Sequence, residues 1–328
     1  MEIQQKLLVL GTNCQDLSAA VWTEHLWLAS DETMSLERLS PSPTGYDQPQ
    51  QFPLTEYLDL VDDTTGAGVE VDIEGLDYQD HYLWLVGSHA TKRKRVRPDR
   101  SDLENIRRLT KIEADPNRYL LARIPLVDGI LYKTCPHPSQ LGEQLTAAAI
   151  GRTKLLTLLE EDPHLGPFLT AGIPGKDNGF DVEGLAVMGN KVWLGLRGPV
   201  LRGWAILLEL TVEARGPGLL RFRRGADGLA YRKHFLDLGG LGIRELCRDG
   251  DDLLILAGPT MILQGVIRVF RLVKGLLLAE PSLITQQPGR LEVLFETPPC
   301  RKIRPGRRHC PDPRGIARGL RWACTKPI

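Results

Sequence analysis

Seven residues have side chains suited to chemistry and recur at matching places in the chain. They are Asp72, Glu74, His89, Asp181, Glu183, Arg197 and Arg244. The carboxylates alone would suit Ca²⁺ or another hard divalent cation, which takes oxygen ligands. Two arginines among them suit a phosphate or carboxylate group held by forked donors. His89 adds a group able to exchange protons near neutral pH. An anionic small molecule, with or without a divalent cation such as calcium, is the ligand class this set points to.

These residues belong to a repeated pattern. "DIEGLDYQDHYLWLVGSH" starts at Asp72 and "DVEGLAVMGNKVWLGLRGP" at Asp181. "DLSAAVWTEHLWLASDE" from Asp16 and "GIRELCRDGDDLLILAGP" from Gly242 have the same form: a short run, a polar turn, an apolar run. The first pattern position is held by Asp16, Asp72, Asp181 and Gly242, and the third by Ser18, Glu74, Glu183 and Arg244. Gly189-Asn190 and Asp249-Gly250 suit two-residue hairpin loops, which need positive φ. "LWL", "VWL" and "LLI" supply strand-forming residues after the turn. Third runs follow from Tyr119, Ala205 and Val266 and read as outer strands. Multi-stranded repeats of this size predict an all-β propeller of five or six blades.

A small helical insertion over about 99–170 is expected in the long gap between the second and third copies. Ser101 with Glu104 forms a capping-box pattern, followed by Leu103, Ile106 and Leu109 at helical spacing. The Ala- and Leu-rich stretch from Gln144 predicts a second helix, stopped by Pro163.

At "IPGKDNGFDVEGLAV" and "VWLGLRGPVLRGWAILLEL" the chain resembles the bacterial domain of unknown function 3616 family. The copies "DLSAAVW", "DIEGL", "LWLVGSHATKRKR" and "GIREL" resemble it in the same order, over roughly residues 10–298. The resemblance implies a propeller-like fold and no particular activity. A looser similarity, through the E-G-L and LWL units, links it to the esterase-like phytase family, which implies a metal-dependent hydrolase of phosphate esters.

In a propeller the innermost strands surround a central channel, so the seven candidates would converge there. Two readings stay open. Either they fix the register between blades, with Arg197 and Arg244 neutralising Glu183 and Glu74, or they line a ligand pocket at the channel mouth. The run "TKRKRVRPDR" from Thr91 to Arg100 is either a solvated loop or an anion-attracting rim above that mouth.

Composition narrows the partners. The chain has 328 residues, 42% of them hydrophobic, and a formal net charge of zero. Nothing global favours nucleic acid, and no aromatics interleave the basic run. No apolar stretch is long enough to span a bilayer or to serve as a signal-peptide core. A cytoplasmic location is the expectation, with the six scattered cysteines as free thiols. A protein partner is not identifiable. Residues 299–328 are a basic tail with nine Lys and Arg against one acid, Asp312, which leaves 32 basic and 40 acidic residues in the first 298. The tail reads as an atypical, truncated or frame-shifted last blade after a 1–298 propeller.

Overall fold

The structure is a computed structural model that describes residues 9–10, 17–30, 33–43, 45–61, 71–225, 227–262 and 265–297. The basic tail, together with Asp16, Asp31 and Glu32, lies outside the described residues. What is described is mostly β-strand with few helices.

Four antiparallel units follow one another. The first pairs Leu17–Trp22, Leu26–Ser30, Ser35–Ser42 and Gly45–Pro53 in that order. The second pairs Ile73–Gln79, Tyr82–Gly87, Leu121–Val127 and Ala148–Ile150. The third pairs Asp181–Met188, Lys191–Gly198, Trp204–Gly216 and Tyr231–Asp237. The fourth pairs Gly242–Asp249, Asp252–Gly258, Arg268–Leu272 and Leu291–Glu296. The runs from Tyr119, Ala205 and Val266 thus supply third strands. Gly189 and Gly250 adopt φ of 60° and 62° in the tight turns between first and second strands.

The second and third units are joined. Leu219–Arg223 pairs with Trp204–Gly216 and, in parallel, with Ala148–Ile150. The result is one large mixed sheet whose end strands, Ile73–Gln79 and Asp181–Met188, lie side by side, so that it nearly closes into a barrel.

The apolar runs are continuous because each middle sheet is buried on both faces. Leu83 and Leu85 pack toward the first unit with Trp27 and Leu36, whereas Trp84 and Val86 pack toward the third with Leu185 and Leu194. Trp193 in turn packs toward the fourth unit with Ile243, Ile255 and Phe270.

First strands of successive units are neighbours, and the pattern explains itself there. Register slips at the third pattern position in all four: between Leu17 and Ala19, Ile73 and Gly75, Val182 and Gly184, and Ile243 and Glu245. Ser18, Glu74, Glu183 and Arg244 are each the extra residue of a β-bulge, which re-aims a side chain away from the ladder. In the second and third units the glycine that follows permits close approach by the next unit. A Cβ on Gly75 would lie 2.7 Å from Leu185 Cβ, and one on Gly184 2.7 Å from Leu246 Cγ. Leu185 and Leu246 hold the same position in their own units. E-G-L therefore reads as bulge, close approach, and the side chain received by the preceding glycine.

Two expectations need correction. Gln144–Thr146 and Ala148–Ile150 are strands, and the helix there is confined to Lys154–Leu159, followed by a short one at Gly166–Thr170. Alanine's helix preference yields to the ladder position that closes the second unit. Cys247 is disulfide-bonded rather than a free thiol, and Cys135 is free and buried. A search for C-x-x-C sees only sequence neighbours, whereas bond partners are set by the fold.

Replacing Gly75 or Gly184 with alanine forces the facing leucine to move. Each substitution is expected to destabilise the protein by about 1–3 kcal/mol, measured as a lower denaturant midpoint at unchanged slope. An unchanged midpoint would show that neighbouring units do not touch there.

Candidate functional site

At the end of the first strands where Asp72 and Asp181 lie, the chain leaves a cavity of about 450 Å³. Its floor includes Asp72, Glu74 and Asp181, from the second and third units. Its wall is the basic run. Lys92, Arg93, Lys94, Arg95, Arg118 and Lys176 face it, against the carboxylates Asp72, Glu74, Asp177 and Asp181. Six cations over four acids give it a positive balance when every group is charged.

Several of these charges are paired. Arg118 Nη1 lies 2.8 Å from Asp72, and Arg93 Nε 2.6 Å from Asp177. Lys94 Nζ lies 2.6 Å from Glu113. Beside the cavity, Arg197 Nη1 donates to Glu183 Oε1 at 2.8 Å, and Arg244 Nε forms an ion pair with Glu183 Oε2. Arg197 Nε also donates to the Thr260 carbonyl at 2.7 Å. Glu183 and Arg197 are almost fully buried, and the attraction of Glu183 and Asp181 holds the Arg197 guanidinium charged against its desolvation.

Asp181 is the exception. Its nearest cation is Arg197 Nη1 at 3.8 Å, beyond hydrogen-bond reach. Burial, the neighbouring Glu183 charge and Asp72 raise its pKa to about 7, with Arg197 and Lys176 opposing. The cavity therefore contains a carboxyl group that changes charge near neutral pH.

His89 does not behave as expected. It is buried, its Nδ1 lies 2.9 Å from the Gly87 carbonyl, and its ring meets Tyr119 edge-on. Burial lowers its pKa to about 4, so it stays neutral where an acid–base catalyst would need to titrate. It is not among the residues lining the cavity. Sequence reasoning missed Arg118 and Lys176. Arg118 ends a short turn, Pro116–Arg118, before a third strand, and nothing in "PNRY" indicates that its head reaches Asp72.

Six of the seven expected residues are thus grouped around Asp181 or Glu183: Asp72, Glu74, Asp181, Glu183, Arg197 and Arg244. Arg197 and Arg244 both engage Glu183, and Arg197 also feels the Glu74 charge. Among the described residues, no group of three or more His, Cys, Asp or Glu is placed to hold a metal ion. The arginines occupy the carboxylate oxygens that a hard cation would need.

The repeated bulge-and-glycine grammar has a counterpart among known sequences. The model of a family described as protein of unknown function (DUF3616) matches residues 16–303. The chain belongs to the DUF3616 family. No curated protein matches it. Among solved structures, this DUF3616 chain is 11% identical to the Cps50 (Swd1) β-propeller domain of Myceliophteria thermophila, covering 87% of the chain and 72% of that one, with a TM-score of 0.30. It is 8% identical to the computationally designed Ika4 protein, covering 81% and 98%, with a TM-score of 0.27. It is 10% identical to the designed Ika8 protein, covering 87% and 98%, with a TM-score of 0.24. Likenesses this slight do not bear on the DUF3616 fold. Among the described residues, no helix is long and apolar enough to cross a membrane.

Two outcomes follow from the buried charges. Because the folded state raises the Asp181 pKa, it binds a proton that the unfolded chain releases above about pH 4, and stability falls as pH rises from there toward 7. Asp181→Asn is expected to raise stability at pH 8 by about 1–3 kcal/mol, with the gain shrinking as pH drops toward 4. Thermal unfolding across that range measures it, and a gain independent of pH would contradict it. Arg197→Leu leaves Glu183 and Asp181 short of a buried cation and is expected to cost about 3 kcal/mol or more, read from denaturant unfolding.

Proposed function

We propose that this chain is a ligand-binding protein built as a β-propeller of five or six blades, and that the described units are four of those blades. Support for the propeller lies in the shared strand order, the bulge at one common position, and the glycine-to-leucine contacts that carry the second first strand onto the third and the third onto the fourth. The ligand is a small anion with a phosphate or carboxylate group, bound in the cavity at the channel mouth. Binding, rather than catalysis, is the better reading. His89 is neutral and is not among the residues lining the cavity, and Asp72 and Glu183 are tied to arginines.

The single observation that carries the proposal is the combination in one cavity of a basic wall and a carboxyl group that loses its charge just below neutral pH. Protonated, Asp181 leaves the wall cations to attract an anion. Ionised, it repels one. Arg95 and Lys176 have no carboxylate within ion-pair distance among the described residues, so they are placed to meet a ligand.

Calorimetric titration with propionate, which is ionised throughout the range, tests this. Affinity is expected to be at least fivefold higher at pH 6 than at pH 8. Asp181→Asn is expected to abolish the difference, and Lys176→Glu to weaken binding at both pH values. No binding at either pH, or binding that strengthens toward pH 8, would overturn the proposal.

A further inference from the structure

The wall of this cavity continues into a surface that the fold leaves in water. Helix Asp102–Leu109 sits on the two-stranded ribbon Lys92–Arg93 and Ile112–Glu113, above the cavity. Its attachment is polar. Arg93 Nη1 donates to the Leu109 carbonyl at 2.6 Å, Arg108 Nε to the Arg95 carbonyl at 2.9 Å, and Asn105 exchanges hydrogen bonds with the Arg97 backbone at 3.0 Å each way. Ser101 and Glu104 close a capping box. The helix is therefore well defined, yet its apolar stripe covers nothing. Leu103 is 58% exposed, Ile106 62% and Leu109 44%.

That stripe runs into the cavity. Leu109, Val96 and Ile262 line the cavity wall, and Val96 and Ile262 are themselves 54% and 70% exposed. A pocket with charged groups on its floor and aliphatic groups from its lip outward has the shape of a receptor for a molecule with two ends. A continuous exposed apolar patch rimmed by charge marks a binding surface rather than a solvated decoration.

We infer that the ligand is a single-chain anionic amphiphile, with its carboxylate or phosphate head among Lys92, Arg95 and Lys176 and its alkyl chain laid along Val96, Leu109, Ile106 and Leu103. This rests on the anion-binding reading above and adds the ligand's class. Charge complementarity fixes the head, because the cations beside the stripe would repel a cationic amphiphile. The stripe is one short helix wide, which accommodates one chain. Each methylene removed from water raises affinity about threefold to fourfold.

The test is a chain-length series, propionate, octanoate and decanoate, titrated below the micellar range at pH 6. Affinity is expected to climb with length, reaching about a hundredfold over propionate for decanoate if half of the added methylenes are buried. In Leu103→Ser/Ile106→Ser, the decanoate-to-propionate ratio is expected to fall below tenfold, and these exposed positions leave the core intact. If propionate binds and decanoate binds no tighter, the amphiphile inference fails while the anion-binding reading stands. If neither binds, the underlying reading fails. A wild-type ratio that survives the double substitution would place the chain elsewhere and overturn the inference. Binding to phosphatidylcholine vesicles containing phosphatidic acid, without binding of dispersed decanoate, would also overturn it, by making the stripe a membrane-docking surface.

Discussion

The close approach of one first strand to the next is the constraint on which the rest of this structure depends. At Gly75 and Gly184 there is no room for a side chain, because Leu185 and Leu246 already fill the space. This contact sets the spacing between the second, third and fourth units. It also fixes what stands one residue earlier. With the glycine locked against its neighbour, the extra residue of the bulge is the one free to leave the ladder, and Glu74 and Glu183 are delivered together to the same end of the assembly. Glu74, Asp181 and Glu183 rest on strands buried on both faces, the most rigid support available in such a fold, while the cations of the cavity come from the ribbon and turns around them.

Buried charge comes with this architecture. Four units sharing one address bring like side chains together, and two carboxylates from adjacent bulges would repel. The sequence varies the address to relieve this. Ser18 is neutral, Arg244 is opposite in sign, and Arg197 reaches in from a second strand. Asp72 receives its own cation, Arg118. Asp181 lies 3.8 Å from Arg197, outside hydrogen-bond reach, and with Glu183 beside it and burial around it its pKa rises to about 7. At the opposite end of the same strands the conflict is resolved differently. Asp77 accepts from Arg248 Nε at 2.9 Å and from the Val187 amide at 2.7 Å, so one carboxylate ties the second, third and fourth units. One end of the strands thus serves registry through Asp77, and the other gathers the charged residues around Glu183.

The sequence made the repeat legible because its grammar is local. Turn glycines, the apolar run after them and the E-G-L step are all written within about twenty residues, and each has a short-range physical cause. The Ser101 capping box was legible for the same reason. What could not be read depended on tertiary context. "QLTAAAI" has the composition of a helix, but Ala148–Ile150 is taken up by the edge of Leu121–Val127, whose ladder groups need a partner. Which acid each arginine would meet was not readable either, since Arg118 and Asp72 are neighbours only after the second unit has folded. His89 looked reactive by type alone. Its neutrality is a property of the pocket around it.

The exposed helix brings these strands of argument together. A stripe at helical spacing normally signals a face that will be buried, and the spacing of Leu103, Ile106 and Leu109 is correct for that. Among the described residues, the apolar runs of the middle sheets find facing units, as Leu85 finds the first and Trp84 the third. Here polar ties hold the element in place while its aliphatic residues stay in water. Local folding rules are satisfied, from the capping box to the amide pairings, so the exposure is not a sign of a badly formed segment. An element that is consistent at every local level yet leaves its apolar face open is where a partner from outside the fold belongs. Its place beside the cavity that holds Asp181 and the basic wall is what ties the stripe to the proposed ligand, which brings both apolar surface and negative charge.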